Sequence, residues 1–272
     1  MLSLNTRIVH CEDHRFSDDE ANASYANHLF TRLSAKEKTF TKVDFKYCTF
    51  DRCYLRSCKF LNCDFTGCRF ISSNLHGSSF RDCRFDYASF ERTQIAPDIL
   101  ETQAPFLDNL KEKFARSLRV NYSQLGDSES VNKAIKIELE ATKTHLYNAW
   151  HSEADYYRKT KYPGTWRRFT QFLEWLWFRI LHFVWGNGES AARLLISIAG
   201  LNVLMAVYHL RHMSRLAPWE AFLEGLRVAP EVYLGVRTFP EYGHLYLAAI
   251  ATARLLSFAA LTSILLKRFS RR

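Results

Sequence analysis

Residues 40–70 read FTKVDFKYCTFDRCYLRSCKFLNCDFTGCRF. Within this stretch and on to Ile95, a bulky apolar residue returns at every fifth position without a slip: Phe40, Phe45, Phe50, Leu55, Phe60, Phe65, Phe70, Leu75, Phe80, Phe85, Phe90 and Ile95. Two residues before these stand Lys38, Val43, Cys48, Cys53, Cys58, Cys63, Cys68, Ser73, Ser78, Cys83, Ala88 and Thr93, all small or β-branched after the first. A period of five fits neither a helix nor a flat strand. A fixed period in sequence means stacked units that bury a continuous core between neighbours.

The repeat resembles the pentapeptide-repeat family, whose consensus is A(D/N)LXX; Val43-Asp44-Phe45, Cys63-Asp64-Phe65 and Ser73-Asn74-Leu75 carry the likeness most plainly. The resemblance implies a four-sided right-handed β-helix with one pentapeptide per side. Twelve pentapeptides then make three coils, roughly 14 Å tall at ~4.8 Å per coil. In that geometry the small residue and the Phe or Leu both point inward, and residues twenty apart stack, so Cys48 lies under Cys68 and Cys63 under Cys83. The expected core comprises Phe45, Cys48, Phe50, Cys53, Cys58, Phe60, Cys63, Phe65, Cys68, Phe70, Phe80, Cys83 and Phe85. Cysteine serves there as a small buried hydrophobe. CxxxxC is not a metal-ligand spacing, so neither zinc nor disulfides are expected. Burial should raise the thiol pKa values and leave them unreactive.

Residues 1–38 are polar and are expected to cap the β-helix of residues 39–96. Ser17-Asp18-Asp19-Glu20 reads as the start of a short helix running to about Leu33, covering the terminal edge. Outward positions of the repeat mix Lys42, Lys46, Arg52, Arg56, Lys59, Arg69, Arg81, Arg84 and Arg92 with Asp44, Asp51, Asp64, Asp82, Asp86 and Glu91. Some pentapeptide-repeat proteins resemble duplex DNA and bind gyrase through an acidic surface; a net-basic surface is wrong for that role. Interspersed charges read as a solvated face, so a nucleic-acid partner is not expected, while a protein partner at the β-helix stays open.

Pro97 ends the repeat. Leu107, Leu110, Phe114, Leu118, Tyr122 and Leu125 follow helical spacing. After Gly126-Asp127-Ser128, where Ser128 is the expected cap, a second stripe from Ile135 continues to Tyr162; residues 97–162 read as a helical hairpin linker. Glu138, His145, His151, Glu153 and Asp155 fit no compact ligand face, so no metal is expected there. Residues 163–188 gather Trp166, Phe169, Phe172, Trp175, Trp177, Phe178, Phe183 and Trp185 with Arg167, Arg168, Arg179 and His182. Aromatic and cationic residues concentrate where membrane meets water, so this segment reads as an interfacial helix.

The net charge of +9 fits nucleic acid, anionic lipid or the positive-inside bias of a membrane protein. The mean hydropathy of −0.23 averages a polar front over an apolar back. Residues 189–272 hold two apolar runs, Leu194–Leu210 and Leu245–Leu266. A helix crossing a bilayer needs about 20 apolar residues. The second run meets that; the first does if Ala191 and Ala192 join it and Arg193 snorkels. The basic tail Lys267-Arg268-Phe269-Ser270-Arg271-Arg272 reads as a cytoplasmic membrane exit, and the first thirty residues lack the apolar core of a signal peptide. Both termini are therefore expected in the cytoplasm, with two spans crossing the membrane.

A helical hairpin, an aromatic segment, then Gly186-Asn187-Gly188-Glu189-Ser190 before Ala191-Ala192-Arg193 resembles bacterial pentapeptide-repeat proteins with a C-terminal two-span ion-channel-like domain. That resemblance implies a homo-oligomer, a tetramer, in the bacterial inner membrane, with Trp219–Leu226 as a short re-entrant pore helix before a TxGYGD-like filter. This sequence offers a pore loop of Gly235, Arg237, Thr238, Glu241, Tyr242 and Gly243. The filter threonines and aspartate are missing, so no potassium selectivity carries over. Arg254 is read as an intramembrane charge that faces a subunit contact or water, with Glu220, Glu224, Glu231 or Glu241 as candidate partners, because it would cost about 2.5–3.5 kcal/mol facing lipid.

No nucleophile–base set, phosphate loop or zinc spacing appears in the sequence, so neither an enzyme nor a cofactor is expected. Three readings follow: an oligomeric, weakly selective or non-selective pore with a cytoplasmic β-helix for regulation or assembly; a membrane-anchored interaction scaffold without a pore; and a membrane-disrupting effector of bacterial stress or phage defence. Membrane lipid is a partner in all three.

Overall fold

The computed structural model describes residues 8–212, 217–239 and 241–270, with backbone alone at His212 and Ser270. The chain divides into two units, residues 1–172 and 173–272. Arg271 and Arg272 of the basic tail lie outside the described residues.

Unit 1 begins with a parallel β-solenoid of about four turns. Strands β1 (Val9–Glu12), β3 (His28–Thr31), β5 (Thr49–Asp51), β7 (Arg69–Ile71) and β9 (Ser89–Glu91) stack as one sheet. Strands β2 (Glu20–Ala21), β4 (Thr39–Thr41), β6 (Lys59–Leu61) and β8 (Ser79–Arg81) stack as another. The two remaining sides are single-residue bridges, such as Asp44 to Asp64 and Tyr54 to Asn74. Register is twenty residues per turn, pairing Phe50 with Phe70 and Phe70 with Phe90, so the rings stack at 4.9 and 5.1 Å. Each side ends in a corner whose residue takes a left-handed φ, at every fifth position from Asn22 to Arg92. None of these corner residues is β-branched, the class for which that conformation is most costly.

The N-terminal expectation is corrected here. Residues 17–33 form no helix; β2 and β3 lie there, and the solenoid extends back to Val9, which gives about four turns in place of three. Tyr25, Phe30 and Ala35 continue the inward series in phase, but β1 meets β3 nineteen residues on, Val9 against His28, so one residue is missing from that coil.

The described cap covers the other edge. Helices α1 (Ile99–Thr102), α2 (Asp108–Gln124) and α3 (Ser128–His151) follow the last coil, and α2 lies across it. Phe114, Ala115, Leu118 and Tyr122 continue the apolar core, with Phe114 5.9 Å from both Phe85 and Phe90. Polar side chains take the places a further strand would fill. Asn121 Oδ1 accepts from Thr93 N at 2.7 Å while its Nδ2 donates to Thr93 O at 2.8 Å. Gln103 does the same for Cys83 N and Phe80 O, Ser117 accepts from Phe90 N, and Gln124 accepts from Arg92 N. An unpaired sheet edge is thereby closed.

Asp127, not Ser128, caps α3, accepting from Ser130 N at 3.0 Å. The helix stops at His151, and Tyr156–Lys161 forms a separate π-helical turn. Four of the five acids and histidines of this region are ion-paired or buried, and the fifth, His151, stacks on the Tyr147 ring at 4.9 Å. Glu138 bridges Arg116 and Arg119 at 2.9 and 2.7 Å, Glu153 pairs with Arg168, and Asp155 with Lys159. His145 is buried beside Tyr157, Tyr162 and Lys161, and burial with the Lys161 charge lowers its pKa to about 4.

Helix α4 (Thr165–Trp185) contains the boundary between the units and leaves Trp166, Phe169, Trp177 and Phe183 exposed. Unit 2 continues with α5 (Ala191–His212), α6 (Pro218–Leu234) and α7 (His244–Ser270). Residues Ala191–Arg211 and His244–Phe269 are long and apolar enough to cross a membrane, and only 17% and 11% of their most apolar windows are buried. Helix α6 is longer than the short pore helix expected, and packs along α5: a Cβ on Gly225 would stand 2.8 Å from the Ala206 carbonyl oxygen.

Candidate functional site

The site of interest is the segment joining α6 to α7, with the side chains of α5 that reach it. Helix α6 ends at Gly235, whose φ of +78° is a left-handed C-cap and whose N–H donates to Val232 O. Glycine is favoured there by its φ, and its missing Cβ leaves room for the Arg254 guanidinium. An L side chain is strained at that φ, and a Cβ would stand 1.8 Å from Arg254 Nη1. Arg254, half-buried and ten residues into α7, thus lies on the C-terminal end of α6, where carbonyl dipoles favour a cation. Among the described residues none of the four candidate carboxylates forms an ion pair with Arg254 within the chain. Glu231 pairs instead with Arg237 at 3.5 Å, and Glu224 faces His209 at 3.7 Å.

Arg237 is exposed, stacks 4.6 Å from the Phe239 ring centroid and takes Glu231 rather than Glu241 as its ion partner. Thr238, Glu241 and Gly243 are exposed, whereas Tyr242 is buried. Tyr242 OH lies 2.8 Å from His209 Nδ1, and its ring packs edge-on against Tyr208 and Tyr246. Tyr233 and Ser257 are hydrogen-bonded through their hydroxyls, tying α6 to α7. The structure therefore brings Gly235 to Arg254 and Tyr242 to His209, and leaves Arg237, Thr238 and Glu241 at the surface. His209, Tyr233 and Ser257 were not singled out from sequence; a lone imidazole inside an apolar run was the available signal for the first.

At the start of α5, Gly186, Asn187 and Gly188 all adopt left-handed φ and reverse the chain after α4. Lys267 Nζ comes within 3.7 Å of Glu189 Oε1, so the start of α5 and the end of α7 lie together. Arg193 turns toward α4, contacting His182 at 2.8 Å.

The solenoid core was the other set of candidate residues. Phe45, Phe50, Phe60, Phe65, Phe70 and Phe85 are buried, as are Cys48, Cys53, Cys58, Cys63 and Cys68, while Phe80 and Cys83 are partly exposed in the last coil. Each of these thiols donates to the carbonyl 23 residues earlier, for example Cys48 to Tyr25 O at 2.9 Å and Cys68 to Phe45 O at 2.8 Å. The slot thus selects a small donor, and Ser73 fills it in the same way against Phe50 O. Burial pushes Cys53 up to about 12 and raises Cys58 and Cys68. The uniform rise expected from sequence fails at Cys48 and Cys63, which go down because Cys68 or Cys83, one turn on, can donate to a thiolate there. All seven cysteines are free thiols, and among the described residues no three His, Cys, Asp or Glu side chains cluster as a metal site.

The family model described as a pentapeptide repeat region matches residues 33–103. These residues are a pentapeptide-repeat region. Solved structures similar to this chain include QnrB1, a plasmid-mediated fluoroquinolone resistance protein, at 16% identity and a TM-score of 0.19, covering 33% of this chain and 63% of that one. A pentapeptide repeat protein from the cyanobacterium Cyanothece 51142 is 10% identical, with a TM-score of 0.18, 35% of this chain and 82% of that one covered. Another, from the Arabidopsis thaliana thylakoid lumen, is 14% identical with a TM-score of 0.16, over 39% and 78% of the two chains. The chain thus spans under two thirds of the QnrB1 chain it matches. Comparison with curated proteins finds no match. The pentapeptide-repeat region and its α2 cap account for the solenoid; the helices of unit 2 lie outside the matched residues.

Proposed function

We propose that this protein is an oligomeric two-span membrane protein with a weakly selective pore, carrying its pentapeptide-repeat region in the cytoplasm for assembly or regulation. The observation that carries this reading is the helical hairpin itself. Helices α5 and α7 are apolar and largely unburied, and both run to span length. Lys267 beside Glu189 puts the start of one and the end of the other on the same side, as two crossings require. Arg254 faces the end of α6, which suits a charge inside a membrane domain and away from lipid. Two helices cannot enclose a pore, so conduction requires several copies, four by the family resemblance. The basic residues Lys267 and Arg268 support a cytoplasmic end to α7 by the positive-inside rule, and an even number of crossings then keeps the solenoid on that side; the bacterial inner membrane comes from the family resemblance alone.

A second reading, a membrane-anchored scaffold without a pore, is favoured by one observation: Arg237 is exposed in a loop that lacks the filter threonines and aspartate. The mass of the detergent-purified protein separates the two, since a pore requires an oligomer of about four copies. A reporter inserted at Ala217 is expected on the far side of the membrane and reporters at either terminus on the near side. A periplasmic C-terminus contradicts the two-span topology, and recovery of the untreated protein in the soluble fraction contradicts membrane residence.

A further inference from the structure

The reversal between α4 and α5 builds a cavity of about 770 Å³ that is cationic at one end and apolar at the other. Arg179 and His182, one helical turn apart on α4, meet Arg193 from the first turn of α5. Arg193 Nη1 donates to His182 Nε2 at 2.8 Å and to the His182 carbonyl at 3.0 Å. These bonds make the imidazole an acceptor and hold the guanidinium in place. Its remaining N–H groups have no protein partner among the described residues, and no carboxylate lines the cavity. The apolar end runs along one face of α5 through Ile196, Gly200 and Leu204. A Cβ at Gly200 would meet nothing within 4 Å, so the absent side chain leaves a slot open rather than permitting a close contact.

We propose that this cavity binds an anionic phospholipid, with its phosphate on Arg179 and Arg193 and an acyl chain in the slot past Gly200. The inference rests on the membrane reading above. Its warrant is charge complementarity joined to shape. A basic pocket at the level of an aromatic belt, here Trp175, Trp177 and Trp185, opens directly into a slot along a span. The volume falls within the ~300–1,000 Å³ of ordinary ligand sites. A soluble phosphate would leave the apolar slot unused, and a zwitterionic lipid would bring its own choline cation up to two arginines.

The test uses the full-length protein purified in zwitterionic detergent and titrated with phosphatidylglycerol or phosphatidylcholine of identical chains, read by native mass spectrometry. Phosphatidylglycerol is expected to bind about tenfold more tightly, the effect of one charge-assisted hydrogen bond. Arg179→Gln/Arg193→Gln abolishes that preference, because it weakens phosphatidylglycerol more than phosphatidylcholine, whose phosphate is already offset by its own choline. Gly200→Phe, which keeps both arginines, weakens both lipids by filling the slot, and it carries the test if the glutamine pair aggregates. Lys42→Gln/Lys59→Gln removes the same charge from the solenoid and leaves the preference intact. Equal binding of the two lipids, or an equal loss from the solenoid pair, overturns the site. So does displacement of bound phosphatidylglycerol by millimolar inorganic phosphate, which assigns the arginines to a free anion. Carbonate extraction of membranes run alongside separates the two readings. Release of the chain undoes membrane residence itself, whereas retention without lipid preference undoes this site alone.

Discussion

The guanidinium of Arg254 lies against the backbone of Gly235, so close that a Cβ there would stand 1.8 Å from Arg254 Nη1. The contact joins the end of α6 to the interior of α7. Gly235→Ala therefore meets two penalties, a left-handed φ costing about 1–2 kcal/mol and displacement of the guanidinium. It should lower the thermal midpoint in detergent, and Arg254→Ala should remove most of the second penalty. A double-mutant cycle reads the coupling between them; strictly additive effects contradict the contact.

The phenylalanine ladder should dominate the stability of the solenoid. Phe65 is fully buried between Phe45 and Phe85, with ring centroids at 5.2 and 4.9 Å. Phe65→Ala is expected to cost about 3–5 kcal/mol, the usual range for a buried Phe. Cys63→Ala loses one weak donor and little volume, so it should cost about 1 kcal/mol. Chemical denaturation distinguishes them, and equal damage contradicts the inward slot.

The repeat was legible because each inward Phe announces itself at a fixed spacing. Its N-terminal extension was not, since Ala35 replaces a bulky residue, His28 occupies a small-residue slot, and one residue is missing between β1 and β3. The two long apolar helices were legible from composition alone. What their polar residues touch was not. Arg193 read as a snorkelling side chain and turns to His182; Arg254 read as a charge kept from lipid, and the helix end it meets, nineteen residues away in sequence, had no signal. Helical spacing identified the apolar face of α2 but said nothing about Asn121, which looks in sequence like any polar helix residue.

Asn121 closes the solenoid edge through both atoms of its amide, at full burial. Asn121→Ala leaves Thr93 N–H and C=O unpaired, each at about 1–3 kcal/mol. Hydrogen exchange should then rise first in β9 and the coil that holds it. Unchanged exchange there means that the edge is closed by packing of α2 alone.

Acid should loosen unit 1 through His145. Its folded pKa of about 4 lies below the ordinary 6.5, so the unfolded chain binds the extra proton between these values. Stability is full above pH 6.5 and falls as the pH drops toward 4. Lys161, 3.1 Å from Nε2, and the hydroxyls of Tyr157 and Tyr162 are the groups facing the ring. His145→Gln should flatten this part of the unfolding profile; an unchanged profile places the acid sensitivity elsewhere.

Current through purified protein in a planar bilayer tests the proposed pore most directly. Each copy of the loop repeats its charges around the axis, and unit charges ~8 Å apart at an effective dielectric of ~20 interact by about 2 kcal/mol. Glu231 pairs with Arg237 at 3.5 Å and offsets its charge, so the wild-type current should be weakly selective. Arg237→Glu should move the reversal potential under a salt gradient toward cation preference. Conductance with an unmoved reversal potential removes Arg237 from the pathway, and the absence of any conductance from a normally assembled oligomer, across several lipids, contradicts the pore and leaves the anchored scaffold.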